Sequence, residues 1–118
     1  MLAKENRITS KKEFDSFFGR DFRKSGGFSA SSKAMVVKAI VTDDKDCRVG
    51  FIINTKIDKK AVVRNKIKRQ FRDIMKNRLK LLKKKVYLLF VVMPAIKNLE
   101  FAQIEKEVDG LLKRMRLL

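Results

Sequence analysis

The residues best suited to chemistry are a dense group of cationic side chains between Arg48 and Lys76. This segment reads as an apolar strand, a basic turn and a helix, with neither Gly nor Pro from Ile57 to Lys76 to interrupt it. A helix advances about 100° per residue, which separates an apolar stripe from a polar one. The apolar stripe comprises Val63, Ile67, Phe71, Ile74 and Met75. The polar stripe comprises Arg64, Asn65, Lys68, Arg69 and Arg72.

A basic helical face is typical of a plain solvated surface as well as of a polyanion site, so two further details matter. The basic residues continue into the preceding loop as Lys56, Lys59 and Lys60. Asn65 is a poor helix former, yet its amide group both donates and accepts hydrogen bonds to bases, riboses or phosphates. Together these details favour a nucleic acid as the partner of this face.

Most catalytic and metal-binding chemistries are excluded by the residue types. The sequence contains no histidine and one cysteine, Cys47. Ser-His and Cys-His catalysis, histidine metal sites, cysteine zinc clusters and an internal disulfide are therefore excluded. Three acids gather at Asp43, Asp44 and Asp46, but their spacing does not fit a calcium loop. We predict a solvated hairpin turn there, with no catalytic residues and no metal ligands in the chain.

The balance of charge also indicates an anionic partner. The chain has 30 Lys and Arg against 13 Asp and Glu, a formal net charge of +17. Such an excess destabilises a compact protein by self-repulsion. No apolar run approaches the roughly 18 residues of a membrane span, and the N-terminus lacks the apolar core of a signal peptide. We expect residues 1–118 to form a single domain in the cytoplasm, with no membrane partner.

Caps and apolar runs predict the elements that hold the basic helix. Ser10 followed by Glu13 fits a capping box at the start of a first helix, and Asn98 can cap the last helix. The apolar run Val86–Met93 predicts a central strand covered on both faces. In chain order we predict a loose arm at 1–9, a helix at 11–18, a loop at 20–32 with an edge strand at 28–31, strands at 34–42 and 48–54 paired as an antiparallel hairpin, the basic helix to about 82, the strand at 86–93 and a helix after 98. This order, α-β-β-β-α-β-α, predicts a compact two-layer α+β sandwich with three helices and about four strands.

Three phenylalanines, Phe14, Phe17 and Phe18, share one face of the first predicted helix. Their spacing is more typical of core packing than of a ligand site. The functional alternative is that one or two of them line a cleft where unpaired bases stack, at about 1–3 kcal/mol per base. The spacing alone leaves both interpretations open.

The segment Arg64–Arg69 (RNKIKR), preceded by Arg48–Phe51 (RVGF) and followed by Arg72, resembles the signature of the bacterial ribonuclease P protein family. The likeness covers nearly the whole chain, from Asn6–Ile8 (NRI) to the C-terminal helix. Lys66 stands where the family usually has a third arginine, a change that keeps the charge but loses the planar bidentate fork. The resemblance implies a left-handed β-α-β crossover through the basic helix, against the general rule.

The resemblance implies the protein subunit of ribonuclease P, which removes the 5′ leader from precursor tRNA. The chemistry would belong to the RNA subunit, which requires Mg²⁺, while the protein would bind no cofactor and have no active site of its own. The implied partners are one ribonuclease P RNA per protein and precursor tRNA. The implied surface for the catalytic RNA comprises Arg64, Asn65, Lys66, Lys68, Arg69, Arg72, Lys56, Lys59 and Lys60. The implied leader cleft comprises Phe14, Phe18 and Lys38, where Lys38 replaces a frequent aromatic ring and could contact leader phosphates instead.

Other classes of protein give rival interpretations of the same charge. A ribosomal or general RNA-chaperone protein with the same crossover would bind structured RNA without promoting precursor-tRNA cleavage. A membrane-surface protein would need an exposed amphipathic helix, whereas the apolar stripes of both long helices are needed to cover the sheet. A protein-only nuclease would need acids gathered into a metal site, and the sequence does not group them so.

Overall fold

The computed structural model describes residues 3–24 and 26–118, in which the strands form a four-stranded sheet. The first two residues of the predicted arm and Ser25 of the predicted loop lie outside this description. The strands are β1 (Phe28–Ser31), β2 (Met35–Val41), β3 (Arg48–Ile52) and β4 (Val86–Val92). The helices are α1 (Lys11–Asp15), α2 (Gly19–Lys24), α3 (Ala61–Arg78) and α4 (Phe101–Arg114), with short 3₁₀ segments at Lys4–Asn6, Leu79–Leu81 and Pro94–Asn98.

The order of strands in the sheet is β1-β2-β4-β3. The predicted central position of the apolar strand is confirmed, because β4 pairs antiparallel with β2 and parallel with β3. The predicted antiparallel hairpin of β2 with β3 is wrong, since β4 lies between them. A wholly apolar strand must be covered on both faces, and a parallel neighbour needs a crossover connection, which α3 supplies. The left hand of that crossover stays a prediction.

One face of the sheet carries the main core, packed beneath α3 and α4. At the centre of this core lie Phe51, Phe71 and Phe90, whose ring centroids are 5.6–5.7 Å from one another. Each comes from a different element, so this cluster joins the basic helix to both neighbouring strands β3 and β4. Arg78 near the end of α3 adds a bidentate pair to Asp109 of α4, with both N–O distances at 2.9 Å. The basic helix is therefore anchored to the core through Phe71 and to α4 through Arg78.

The N-terminal segment covers the opposite face of the sheet. Ile8 and Phe17 are buried there against Ile40 of β2 and Leu89 of β4. The predicted cap is confirmed, because the Ser10 side chain accepts a hydrogen bond from the Glu13 backbone N–H at 3.1 Å. The predicted helix to residue 18 is too long, because α1 ends at residue 15. The first part of the predicted loop at 20–32 is instead helical, since α2 begins at residue 19 and runs to residue 24.

The glycine at that junction explains the break. Gly19 has φ +70°, a left-handed conformation that glycine adopts without steric cost. The chain therefore changes direction between α1 and α2, which lets Phe17 enter the core while Phe18 stays 43% exposed. In a continuous helix, Phe17 and Phe18 would lie about 100° apart around the same axis.

The predicted loose arm is wrong for residues 3–9, because this segment docks on the free edge of β3. The backbone N–H of Ile8 donates to the Val49 carbonyl at 3.1 Å, and the Asn6 amide donates to the Cys47 carbonyl at 2.8 Å. Arg7 forms a parallel bridge with Val49. An edge strand leaves unpaired backbone groups, and the arm satisfies some of them.

One helix start agrees with the prediction and one differs. The basic helix begins at Ala61, directly after the predicted loop that carries Lys59 and Lys60, and Ile57 lies buried in that loop. The last helix is capped by Glu100 rather than Asn98. Glu100 and Gln103 form a reciprocal capping box, in which each side chain accepts from the backbone N–H of the other. Asn98 instead ends the 3₁₀ segment that follows Pro94.

Candidate nucleic-acid interface

Four of the predicted RNA-binding residues share one concavity on the outer side of α3. The concavity has a volume of about 350 Å³ and is lined by Asn65, Lys68, Arg69, Arg72 and Asp73. Residues three and four apart lie side by side on a helix, which is why the sequence pattern brings these side chains together. Asp73 is the one acid in the lining. The site therefore presents three cations and one amide to a ligand.

The loop before α3 carries Lys56, Lys59 and Lys60 on an ordered backbone. The side chain of Asn54 accepts from the Lys56 N–H at 3.0 Å, and that of Asp58 accepts from the Lys60 N–H at 2.8 Å. Such Asx turns fix a loop through its own side chains. The three lysines are exposed above this frame, so their charges are presented without a large ordering cost on binding.

The carboxylate of Asp58 is held ionised inside this basic loop. Its pKa is lowered, first by the backbone N–H of Lys60 and then by the Lys97 ammonium, which lies 3.0 Å away. The ion pair ties the loop to the 3₁₀ segment after β4. Asp58 thus stabilises the loop through local contacts. Its carboxylate also partly neutralises the charge of Lys97.

Arg64 and Lys66 do not lie in the α3 concavity. One terminal guanidinium nitrogen of Arg64 donates to the carbonyls of Asp58 and Lys59, at 2.8 and 2.9 Å. Arg64 therefore fastens the basic loop to the first turn of α3. Lys66 lies on the other side of the helix, where it lines a small cleft with Ile96 and other residues.

A second, smaller pocket joins the outer side of α3 to the predicted leader cleft. Its volume is about 150 Å³, and its lining includes Arg7, Phe14, Gly50, Lys68 and Arg72. Arg7 was not among the residues predicted to bind RNA. Arg7 reaches this pocket because the N-terminal segment docks on β3. The sequence could not predict that docking, since residues 3–9 show no periodic pattern of apolar residues.

The aromatic residues of the predicted leader cleft divide between core and surface. Phe17 is fully buried, Phe14 is half-buried and Phe18 is 43% exposed. The ammonium of Lys38 donates to the Phe17 carbonyl at 3.1 Å and lies 4.4 Å from the centre of the Phe18 ring. The structure therefore brings Lys38 and Phe18 into direct contact and assigns Phe17 to packing.

Two negative findings concern the described residues. Among residues 3–24 and 26–118, no group of three or more His, Cys, Asp or Glu side chains could hold a metal ion. Within the same residues, none of the helices has the length and apolar character needed to cross a bilayer.

The family model described as ribonuclease P matches residues 2–116. The chain belongs to the ribonuclease P protein family. Several curated ribonuclease P protein components are similar to this chain over most or all of its length. The one from a Cyanothece species is 30% identical and covers 100% of this chain and 98% of its own. The one from Syntrophomonas wolfei is 32% identical, with 99% and 92% covered.

Solved ribonuclease P proteins share the fold. A mutant of the Staphylococcus aureus protein superimposes with a TM-score of 0.84 at 24% identity, covering 98% of this chain and 92% of its own. The Thermotoga maritima protein gives a TM-score of 0.68 at 25% identity, with 80% and 91% covered. The predicted α+β class is thereby confirmed. Membership of the ribonuclease P family gives the chain the function of the protein subunit in tRNA 5′-end processing, and it decides against the ribosomal and RNA-chaperone alternatives.

Proposed function

We propose that the outer side of α3 and the loop before it bind the catalytic RNA of ribonuclease P. The observation that carries this proposal is the α3 concavity, in which Asn65, Lys68, Arg69 and Arg72 converge. Lys56, Lys59 and Lys60 extend the cationic surface, while Arg64 holds their loop in place and Lys66 adds charge on the flank. Phosphate contacts of this kind release counterions, so the affinity should fall steeply with salt.

The cleft between α1 and the sheet is proposed to hold the single-stranded 5′ leader of precursor tRNA. Phe18 offers an exposed ring for a base to stack on, and Phe14 lines the pocket that continues to Lys68 and Arg72. An RNA strand leaving this pocket would therefore meet the surface that binds the catalytic RNA. Base stacking on an aromatic ring contributes about 1–3 kcal/mol, enough to favour precursor over mature tRNA.

The protein and the RNA subunit would have separate tasks in the holoenzyme. The protein supplies binding groups, whereas hydrolysis and the Mg²⁺ that it requires belong to the RNA subunit. Cationic side chains near the cleavage site would reduce the Mg²⁺ needed to neutralise crowded phosphates. We propose a single domain acting in the cytoplasm as one protein with one RNA, with precursor tRNA as the substrate.

The first test is multiple-turnover cleavage of a 5′-extended precursor tRNA by ribonuclease P RNA at low Mg²⁺, with and without the protein. We expect a large gain in kcat/KM with the protein and no cleavage by the protein alone. Cleavage by the protein alone would contradict the division of labour. Binding to the RNA without any gain in cleavage would contradict the role proposed for the leader cleft.

Matched variants separate the two surfaces. Arg69→Gln should weaken binding to the catalytic RNA, whereas Lys106→Gln, which removes another exposed charge, on α4, should change it little. Phe18→Ala should lower the preference for precursor over mature tRNA by roughly fivefold or more. Phe101→Ala removes an exposed ring of similar accessibility on α4 (40% against 43% exposed) and should leave that preference unchanged.

A further inference from the structure

A lysine-lined cavity lies at the far end of α3 from the loop that precedes the helix. It has a volume of about 330 Å³ and lies between the N-terminal segment, the β2–β3 loop and the end of α3. Its lining comprises Ala3, Asn6, Lys45, Asp46, Cys47, Lys76, Leu79, Lys80 and Lys85. Lys76, Lys80 and Lys85 come from the stretch between the end of α3 and the start of β4, and the fold adds Lys45 from the distant β2–β3 loop. Repulsion among them disfavours this arrangement unless an anion is bound.

The charge of this cavity is not neutralised locally. Asp46 is the one acid in the lining. The nearby Asp44 is already engaged, because it accepts a hydrogen bond from the Tyr87 hydroxyl at 2.7 Å and lies 3.4 Å from the Arg48 guanidinium. None of the four lysines forms an ion pair with another described residue. Their ammonium groups are therefore available to a ligand.

The cavity continues the cationic surface of α3. Lys68, Arg72 and Lys76 follow one another at intervals of four residues, which places them on one side of the helix about 6 Å apart along its axis. Lys68 and Arg72 line the α3 concavity, and Lys76 lines the lysine cavity with Lys80. A ligand docked at the first site can thus extend along the helix to the second.

We propose that the lysine cavity is a second contact with the catalytic RNA and takes a phosphate of its backbone. This inference rests on the proposed function of the α3 surface and extends it to the whole length of the helix. Lysine is a compact point charge that satisfies phosphate without demanding one geometry, and phosphate contacts position an RNA without reading its sequence. The contact therefore contributes affinity and orientation and no sequence preference.

The test compares the double variant Lys76→Gln/Lys80→Gln with Lys106→Gln/Lys113→Gln, which removes the same charge from exposed positions on α4. Binding to ribonuclease P RNA is measured over a range of KCl concentrations. Each phosphate contact contributes about 0.7–0.9 to the slope of log affinity against log salt. We expect the cavity variant to lose about that much of the slope and the control pair to keep the wild-type value.

Two outcomes separate this inference from the proposed function on which it rests. If the cavity variant matches the control pair while Arg69→Gln weakens binding, the inference is overturned and the α3 concavity stands. If Arg69→Gln also binds like the wild type, the proposed function of the α3 surface is wrong, and the inference that rests on it is wrong as well. Circular dichroism of each variant checks the fold, which exposed lysine substitutions should leave intact.

Lysine footprinting of the wild-type protein gives an independent readout. Acetylation of the free protein and of its complex with the RNA is compared residue by residue by mass spectrometry. We expect Lys45, Lys76, Lys80 and Lys85 to be protected in the complex, and Lys106 and Lys113 to react equally in both. Full reactivity of the cavity lysines in the saturated complex would overturn the proposal even if the salt slopes agreed with it.

Discussion

Lys38 illustrates how one side chain serves both structure and site. Its ammonium lies 4.4 Å from the Phe18 ring centre and 5.3 Å from the Phe22 ring centre, and it donates one hydrogen bond to the Phe17 carbonyl. An ammonium has three donors, so this bond leaves two for a leader phosphate. The Lys38 side chain therefore links β2 to the turn between α1 and α2, and its ammonium still faces the proposed leader cleft.

We predict that Lys38→Met destabilises the protein by about 1–2 kcal/mol. Methionine keeps the aliphatic stem but loses the hydrogen bond, worth about 1 kcal/mol, and the cation–π contacts, worth about 0.5–1 kcal/mol. Urea denaturation measures the loss. The matched control is Lys33→Met, an exposed lysine in the β1–β2 turn, which should stay within about 0.5 kcal/mol of the wild type. If both variants were equally stable, the contacts of Lys38 with the Phe17 carbonyl and the aromatic rings would contribute nothing to stability.

We expect Arg64 to affect RNA binding through the loop it fastens. One terminal guanidinium nitrogen of Arg64 donates to the carbonyls of both Asp58 and Lys59. A lysine ammonium is more strongly hydrated and lacks the planar guanidinium, so we expect it to hold these carbonyls less well. We predict that Arg64→Lys lowers the affinity for the catalytic RNA about three- to tenfold with the net charge unchanged, since each bond is worth about 1 kcal/mol.

Arg69→Lys is the control for that prediction. Arg69 is exposed in the α3 concavity and makes no hydrogen bond to another described side chain or carbonyl. We expect less than a twofold change in affinity when its charge is kept. Equal losses for the two variants, measured at one salt concentration, would mean that Arg64 contacts the RNA directly, as Arg69 is proposed to do, and does not act through the loop.

At the scale of elements, the fit between α1 and β3 depends on a glycine. A Cβ built on Gly50 would lie 3.1 Å from Phe14 Cε1 and 3.2 Å from Ile8 Cβ, so one of these neighbours must shift. We predict that Gly50→Ala destabilises the protein by about 1–3 kcal/mol, as overpacking does, and lowers the preference for precursor over mature tRNA through the displaced Phe14. Affinity for the catalytic RNA should be unchanged.

Gly110→Ala provides the opposite expectation, at an exposed glycine in a helix. Gly110 lies in α4 with no atom within 4 Å of a built Cβ, so alanine should stabilise the helix by about 0.4–1 kcal/mol. Thermal unfolding and tRNA binding of the two variants are compared. If Gly50→Ala behaved like Gly110→Ala, Phe14 would not be fixed by its contact with β3.

The pairing of Tyr87 with Asp44 makes another link between elements depend on pH. The Tyr87 hydroxyl holds the pKa of Asp44 below its usual range, with help from the backbone N–H of Asp46. Burial, and then the bond to Asp44, raises the pKa of Tyr87. The stabilisation from Asp44 is present above its unfolded pKa and is lost as the pH falls through the folded pKa. That from Tyr87 is present below its unfolded pKa and is lost as the pH rises through the folded one.

Tyr87→Phe removes the dependence due to Tyr87 and the part of the Asp44 dependence that comes from the hydroxyl, while the backbone N–H of Asp46 and the Arg48 guanidinium still act on Asp44. The difference in the free energy of unfolding between wild type and variant should be constant from about pH 5 to 9 and should shrink below about pH 4 and above about pH 10. Urea denaturation across this range measures it. A difference that does not change with pH would mean that the hydroxyl contributes packing alone.

The elements show what the sequence can and cannot predict. The apolar run of β4 predicted its central place, and the 3.6-residue pattern of α3 predicted both its buried stripe and most of the concavity. The pairing of β2 with β3 was predicted wrongly, because a short turn between strands favours a hairpin, whereas the true neighbour β4 begins 34 residues after β3 ends. The positions of Arg7 and Lys45 in their pockets depend on such distant contacts and leave no local pattern in the sequence.

At the scale of the whole molecule, the distribution of charge matters more than any single pair. Arg48, Arg78 and Lys97 are the cations found in ion pairs among the described residues. Most of the 30 Lys and Arg therefore contribute to a field that the 13 acids do not cancel. That field attracts RNA, and in its absence it acts against the folded chain.

Salt should therefore affect the protein and its complex in opposite directions. Raising KCl from about 0.1 to 1 M shortens the Debye length from about 10 to 3 Å, which screens the repulsion between exposed lysines. We predict that the Tm of the isolated protein rises by several degrees, since 1 kcal/mol shifts the midpoint by roughly 4 °C in a chain of this size. Over the same range the affinity for the catalytic RNA should fall by orders of magnitude.

A variant with fewer charges distinguishes general screening from binding of particular ions. Lys33→Gln/Lys106→Gln/Lys113→Gln lowers the net charge from +17 to +14 at exposed positions outside the proposed RNA surfaces. If self-repulsion limits stability, this variant has the higher Tm at low salt and gains less from added KCl. If its gain equals that of the wild type, the ions act at a site that these lysines do not reach. The lysine cavity, which the substitutions leave intact, would then be the place to look for it, because an anion held there stabilises the folded state alone.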